Sequence, residues 1–201
     1  MKKPNNLVPY LSWTRVDLIE RNPRGYLNSY LNGEKIKTRG MDFGSLVTDA
    51  LERRDKDPDE VIQAVRALVP KYPQNNHKAT TAIKIDGKTV QVVAYLDGWD
   101  PKKFRVGEYK TSLYPWSRSK AMEHGQMHLY PWIKWKETGR IPECELTWLE
   151  TERDDDGEYY LTGNFLTHQF QLTTKDMLRM SGRLARAYKK IERTIEAELK
   201  V

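Results

Sequence analysis

Asp97, Glu108 and Lys110, in the stretch AYLDGWDPKKFRVGEYKT, carry side chains that could do chemistry together. Two short apolar runs, VQVVAYLD and KKFRVGEYKT, read as paired strands, and the Gly, Asp and Pro between them supply the turn. Successive side chains of a strand point to opposite faces, so the spacing Glu-x-Lys sets a carboxylate beside an ammonium while Tyr109 points away. Asp97, at the end of the first strand, brings a second acid to that face. Close carboxylates repel, and one ammonium cannot neutralise both and also satisfy their geometry. A divalent cation resolves the conflict. Asp97 and Glu108 could hold Mg²⁺ through oxygen ligands, the ion would also bind a phosphate substrate, and Lys110 could orient or activate a water for attack. The plain alternative is a hairpin whose surface happens to carry Asp, Glu and Lys, because motifs this short also arise by chance.

The elements that must position these residues can be read on either side of them. Ser12 stands as an N-cap before Trp13, Val16, Leu18, Ile19, Tyr26, Leu27 and Tyr30, which recur at helical spacing, and Pro23 breaks or kinks that run. Gly44 opens a second helix with Leu46, Val47, Ala50 and Leu51 on its buried side, while Ser45, Thr48, Asp49 and Glu52 share another face. Asp57 to Leu68 reads as an amphipathic helix closed by Pro70. KYPQNNHKAT then reads as a surface loop, through which Lys71, Tyr72, His77 and Lys78 could reach nucleic acid. Thr80 to Ile85 and Lys88 to Asp97 form a hairpin around Asp86-Gly87.

Downstream of Lys110, TSLYPWSRSK interleaves hydroxyls, aromatics and bases. Tyr114 or Trp116 could stack a base there while Arg118 and Lys120 meet phosphates, or Trp116 could pack beneath the sheet. Ser117 to Thr138 reads as one helix carrying Gln126 and Tyr130 one turn apart. Glu143 to Arg153 and Glu158 to Phe165 flank DDDG as a hairpin tipped by Asp156-Gly157. Thr174 caps a long C-terminal helix, about 173–200. Its apolar stripe is Met177, Met180, Leu184, Tyr188, Ile191 and Ile195, beside a basic one of Arg179, Arg183, Arg186, Lys190 and Arg193. The basic stripe is either a phosphate track or a solvated face.

In order and content these segments resemble the RecB-like branch of the PD-(D/E)xK nuclease superfamily. LSWTRVDLIERNPRGYLNSYL resembles its opening helix, FGSLVTDALE its first active-site helix, DGWDPKKFRVGEYKTS its Asp and Glu-x-Lys hairpin, and Gln126 with Tyr130 its Gln-xxx-Tyr helix. The resemblance implies an α/β fold, a mixed central sheet flanked by helices with a restriction-endonuclease-like core, in one domain over 1–201. It implies that Glu52, Asp97, Glu108 and the carbonyl of Tyr109 hold one or two Mg²⁺ or Mn²⁺ ions. Gln126 and Tyr130 would then line the site and steady Lys110 or the DNA backbone. The implied activity is metal-dependent hydrolysis of DNA, foremost as an exonuclease of phage or bacterial recombination or repair. A structure-specific endonuclease and a catalytically weakened nucleic-acid-binding protein are the alternatives, and a homo-oligomer or a recombination partner protein is left open.

The chain departs from the family pattern twice. Thr48 stands where a metal-binding histidine usually precedes the helix glutamate, and a hydroxyl is the poorer ligand for Mn²⁺-like ions. Asn22 stands where cluster-bearing relatives have a cysteine, and the C-terminal segment has no cysteine, so no iron–sulfur cluster is expected.

Composition sets wider bounds. The 201 residues, 38% hydrophobic and 31% charged, suit a globular chain with a substantial core. The formal charge of +6 suits a polyanion such as DNA, and between Lys102 and Arg140 nine basic residues face three acidic ones. Cys144 is the single cysteine and cannot form an internal disulfide. Its apolar runs are too short to span a bilayer, and no apolar core follows Met1-Lys2-Lys3 as a signal peptide requires. The expectation is a cytoplasmic protein with no membrane partner. His124 and His128 are four residues apart, but without an acidic base between them or a third ligand they do not make a zinc site. His168 and Cys144 offer no pattern for nucleophilic catalysis.

Overall fold

Asn22 and Pro23 divide the opening helical run in two, α1 (Trp13–Arg21) and α2 (Pro23–Tyr30). Proline lacks the N–H that the first helical position leaves unpaired anyway, so it starts α2 without cost. Asn22 serves both helices: its N–H closes α1 on the Leu18 carbonyl, and its side chain accepts from Gly25 N at 2.9 Å. The structure, a computed structural model, describes residues 10–34, 38–52 and 60–200. Met1-Lys2-Lys3 and the first residues of the expected 57–68 helix lie outside them.

The remaining elements are α3 (Arg39–Glu52), α4 (Glu60–Leu68), β1 (Gln74–Ile85), β2 (Lys88–Asp100), β3 (Arg105–Ser112), α5 (Arg118–Glu123), α6 (Gln126–Thr138), β4 (Glu143–Arg153), β5 (Tyr159–Gln171) and α7 (Thr174–Glu198). The strands form one sheet in the order β1-β2-β3-β4-β5. β3 and β4 run parallel and every other neighbouring pair is antiparallel, so the sheet is mixed. A parallel pair needs a crossover, which α5 and α6 supply. Helices cover both faces. α1, α2, α6 and α7 enclose the larger core with Val92, Leu96, Val106 and Leu146. α3 and α4 enclose the smaller one with Tyr72, Tyr109, Leu149 and Leu161. No helix among the described residues is long and apolar enough to cross a membrane.

Both hairpin turns fall where the sequence places them. Asp86 and Gly87, at φ of 48° and 79°, supply the two left-handed residues of a tight turn between antiparallel strands. The apolar stripe expected on α7 is buried throughout. Its cap is Thr173, one residue before the expected Thr174, in a reciprocal box with Asp176.

Other boundaries differ from the sequence reading. β1 begins at Gln74, inside the expected loop, because pairing of Gln74 with Trp99 and of His77 with Leu96 outweighs the polar composition. Tyr72 is buried and donates to Glu145 Oε1 at 2.7 Å, and His77 meets Lys134 Nζ at 3.2 Å, so neither reaches out as supposed. α3 begins at Arg39, not Gly44, and Leu46 is exposed while Val47, Ala50 and Leu51 are buried. The single helix expected over 117–138 breaks at His124-Gly125. His124 takes extended geometry at the break, and a Cβ on Gly125 would fall 1.7 Å from the Trp13 ring, so α1 packs directly against the backbone there. The basic stripe of α7 is partly spent on ion pairs, Arg183 with Glu20 and Arg179 with Asp176.

Candidate active site

The ladder between β2 and β3 joins only Gly98–Asp100 to Arg105–Gly107. A Cβ on Gly98 or Gly107 would fall 2.1 or 2.0 Å from the Tyr72 ring, so both glycines are what let that ring lie flat under the junction. Beyond it the strands part, and Asp97 Oδ2 accepts from Tyr109 N at 3.0 Å, a side chain standing in for a strand partner. Strict alternation in β2 also lapses here. Val90, Val92, Ala94 and Leu96 enter the larger core, and so does Trp99, an odd step away. On the opposing strand Asn76 takes φ 46°. Asp97 sits inside this irregularity.

Glu108 and Lys110 share a face, as their spacing requires, and Tyr109 points to the other core, where its hydroxyl donates to the Pro70 carbonyl at 2.5 Å. Lys110 Nζ pairs with Glu108 Oε1 and donates to Gln126 Oε1 at 2.8 Å. Gln126, the first residue of α6, donates through Nε2 to the Tyr130 hydroxyl at 2.7 Å. Glu108 is 1% exposed, and its Oε2 makes no hydrogen bond among the described residues. Glu52, the last residue of α3, also lines the site, where its carboxylate feels the charge of Asp97 and accepts from the Asn76 backbone on β1. Its side chain and those of Asp97, Glu108, Lys110 and Gln126 line one cleft of about 880 Å³, together with Thr48, Asp49 and Tyr114.

Burial dominates the electrostatics. Burial and the Glu108 charge raise Asp97 to about 8, against the opposing pull of Lys110 and the Tyr109 N–H. Burial and the charges of Asp97 and Asp49 raise Glu52 to about 7. Tyr130 is pushed up by burial and by the charges of Glu108 and Asp97. These two raised acids and one orphaned carboxylate oxygen mark a place where negative charge outweighs its protein partners. That is what a hard cation with oxygen ligands relieves, so Asp97 and Glu108 fit a divalent ion. As the side chains stand, no three histidine, cysteine or acidic groups among the described residues gather closely enough to cage one. Glu52 is near enough to feel the Asp97 charge but does not complete such a cage.

Other expected residues fall elsewhere. Trp116 is half-buried against the larger core, donates to Ser112 Oγ at 3.1 Å and carries Lys120 Nζ 4.4 Å above its ring, so of the two earlier readings packing prevails. Arg118 is exposed and, like Lys120, does not line the cleft. Tyr114 does, and is 77% exposed. Tyr130 is buried behind Gln126, whose amide donates to its hydroxyl, and it feels the charges of Glu108 and Asp97. His124 and His128 are not on one helix: His128 Nε2 meets the Met122 carbonyl at 2.8 Å and His124 Nε2 meets Gln126 Oε1 at 2.9 Å.

Sequence reasoning missed part of the wall. Thr14 comes from α1, Phe43 from α3, and Thr151 and Tyr159 from the β4–β5 hairpin, where Tyr159 stacks on Phe43 with ring centroids 5.8 Å apart. Only the strong tip signal at Asp156-Gly157 hinted that this hairpin projects, and nothing local said toward what.

No protein-family model matches the chain, and no curated protein matches it in sequence. Solved structures match it in three dimensions. A crystal structure from Eubacterium rectale, provisionally designated an exonuclease, superposes with a TM-score of 0.58 over 98% of this chain and 85% of its own, at 12% identity. A phage related exonuclease from Haemophilus somnus 129PT superposes with a TM-score of 0.55 over 98% of this chain and 90% of its own, also at 12% identity. At that identity the likeness is one of fold, and the chain has the mixed α/β architecture of these two proteins.

Proposed function

We propose that this protein is a metal-dependent deoxyribonuclease that hydrolyses phosphodiester bonds, acting first as an exonuclease of recombination or repair. The observation that carries the reading is the placing of half-buried Asp97 with buried Glu108, whose Oε2 lacks a hydrogen-bond partner among the described residues, beside Lys110 in an open cleft. The exonuclease designation of two proteins with the same fold supports it, though fold alone does not establish chemistry.

Asp97 and Glu108 would hold Mg²⁺ or Mn²⁺, with the Tyr109 carbonyl as a further ligand and Glu52 joining from α3. When bound, the ion supplies Lewis-acid polarisation of the phosphate and offsets charge on the leaving oxygen. Lys110 positions the attacking water and places its ammonium where transition-state charge develops. Gln126 holds Lys110 Nζ through the 2.8 Å hydrogen bond, and Tyr130 holds Gln126 in turn. Tyr114, exposed on the rim, offers a face on which an unstacked base can rest.

A second reading, a nucleic-acid-binding protein with weakened catalysis, draws on Thr48 in the cleft and on the absence among the described residues of three acidic or imidazole groups gathered to cage an ion. One experiment separates the two. Degradation of end-labelled single- and double-stranded DNA is followed with Mg²⁺ and with Mn²⁺, comparing the protein with Lys110→Ala, and linear DNA is compared with closed circular DNA. The nuclease reading expects ion-dependent degradation that falls about 10²-fold or more in the variant. Equal degradation by both proteins identifies a contaminant, and binding without cleavage favours the second reading. Cleavage of closed circles replaces exonuclease with endonuclease.

A further inference from the structure

His124 is the group nearest the lysine's support that the nuclease reading leaves without work. It lies at the break between α5 and α6 in a cage of two tryptophans from distant parts of the chain. Trp13 meets its ring edge-on at 6.2 Å and Trp116 at 5.1 Å between centroids. Both walls are themselves held. Arg183 lies 4.6 Å above Trp13, Lys120 lies 4.4 Å above Trp116, and Gly125 leaves the space Trp13 fills. Out of this cage His124 presents Nε2 to Gln126 Oε1 at 2.9 Å.

The hydrogen-bond inventory fixes who donates. Lys110 Nζ is a donor only, so the Gln126 atom 2.8 Å from it must be the amide oxygen, because the reversed amide would set N–H against N–H. That oxygen also faces His124 Nε2, which must therefore carry the ring proton. Burial and the neighbouring Lys110 charge lower His124 to about 4, so the ring is neutral near pH 7 and a single tautomer satisfies the arrangement. The oxygen's two lone pairs are then both used, one by Lys110 and one by His124, while Nε2 of Gln126 donates to Tyr130 at 2.7 Å. Turning the amide over would set its N–H₂ against the Lys110 ammonium, which has no lone pair to accept with, and against the Nε2–H of His124.

We propose that His124 is a positioning residue: its Nε2–H, clamped between Trp13 and Trp116, fixes the Gln126 amide so that its oxygen meets and aims Lys110 Nζ. The assignment rests on the nuclease reading for its catalytic consequence, but its geometry stands apart from it. His124→Phe keeps a ring in the cage and removes the donor. His124→Gln restores a donor at nearly the same reach. In Mg²⁺-dependent degradation of end-labelled DNA, His124→Phe is expected to lower kcat by about 3–10-fold, the worth of one hydrogen bond, with KM unchanged and the thermal midpoint lowered by no more than a few degrees. His124→Gln is expected to stay within about 2-fold of the parent. Equal kcat in His124→Phe and the parent overturns the proposal, and so does an equal loss in both variants, which would assign the effect to packing.

A second measurement keeps the test independent of activity. Nitrogen NMR of the His124 ring in the unmodified protein should show a neutral imidazole protonated at Nε2. A proton on Nδ1 refutes the proposed bond even if the protein cleaves DNA well. A proton on Nε2 in a protein that cleaves nothing upholds the geometry while the nuclease reading fails.

Discussion

Asp97 holds its proton far above the usual aspartate range, to about 8, because burial and the charge of Glu108 both penalise its anion. An acid whose folded pKa exceeds its unfolded value near 4 binds a proton more tightly when folded. The stability it contributes is complete below about pH 4 and is lost as pH rises toward about 8. Glu52, raised to about 7, acts in the same direction over a narrower window. Asp97→Asn removes the ionisation while keeping the shape. In chelator, its unfolding free energy from urea titration should draw ahead of the parent's as pH rises from 5 to 8, by a few kcal/mol at most because Asp97 keeps some contact with solvent. Millimolar Mg²⁺ should narrow that gap, since only the parent carboxylate binds the ion. A gap that stays constant with pH would show that Asp97 is not raised. At this scale Glu108, Lys110 and Asp97 were legible because strand alternation is a local rule that two residues' spacing already expresses. His124 and Tyr159 were not, because their roles come from partners that only the folded chain brings near, Trp13 in one case and Phe43 in the other.

Elements are positioned here by what lies flat against them. The junction of β2 and β3 rests on the Tyr72 ring, which is packed edge-on to Tyr109 at 6.1 Å and anchored by its hydroxyl to buried Glu145. Glu145 in turn pairs with Arg105 Nη1 at 2.8 Å, at the start of the strand that carries Glu108 and Lys110. Gly107→Ala places a methyl 2.0 Å from the Tyr72 ring, and neither the strand nor a ring wedged in the smaller core can yield cheaply. The expected loss is about 2–4 kcal/mol in urea unfolding, accompanied by reduced activity because Lys110 lies three residues on. Gly139→Ala, at the exposed end of α6, is the control for a glycine that no side chain crowds, although its φ of 74° carries its own cost of about 1 kcal/mol. Equal losses in the two variants would mean that the Tyr72 contact decides nothing. Hairpin turns were readable because Asp-Gly states a backbone conformation by itself. The start of β1 and the close approach of Trp13 to Gly125 at the helix break were not, because they depend on neighbours distant in sequence, the extension of β2 and the ring from α1.

The whole molecule is unequal about its sheet. Among the described residues thirty buried apolar side chains form the core under α1, α2, α6 and α7, and ten form the core under α3 and α4. Asp97, Glu108, Lys110 and Gln126 belong to the sheet and to α6, whereas Glu52 is carried by α3 on the lesser side. Free energies of local opening follow buried apolar area, so the α3–α4 layer should open more readily than the body that holds the acid pair. That inequality suits the geometry of the cleft. A layer with small cohesion can shift Glu52 toward Asp97 and Glu108 when a cation draws the three together, without disturbing Lys110 and its supports. Amide hydrogen exchange in chelator should therefore show α3 less protected than β4 and α6. Adding Mg²⁺ should raise protection along α3, most at its Glu52 end, and leave α6 and α7 nearly unchanged. Glu52→Gln should abolish most of that gain while Thr48→Ala, which removes only a hydroxyl from the same wall, should keep it. If α3 is already as protected as α6 without the ion, the two layers form one cooperative unit and Glu52 must act from where it stands. If protection rises as much in Glu52→Gln as in the parent, the ion is held by Asp97 and Glu108 alone.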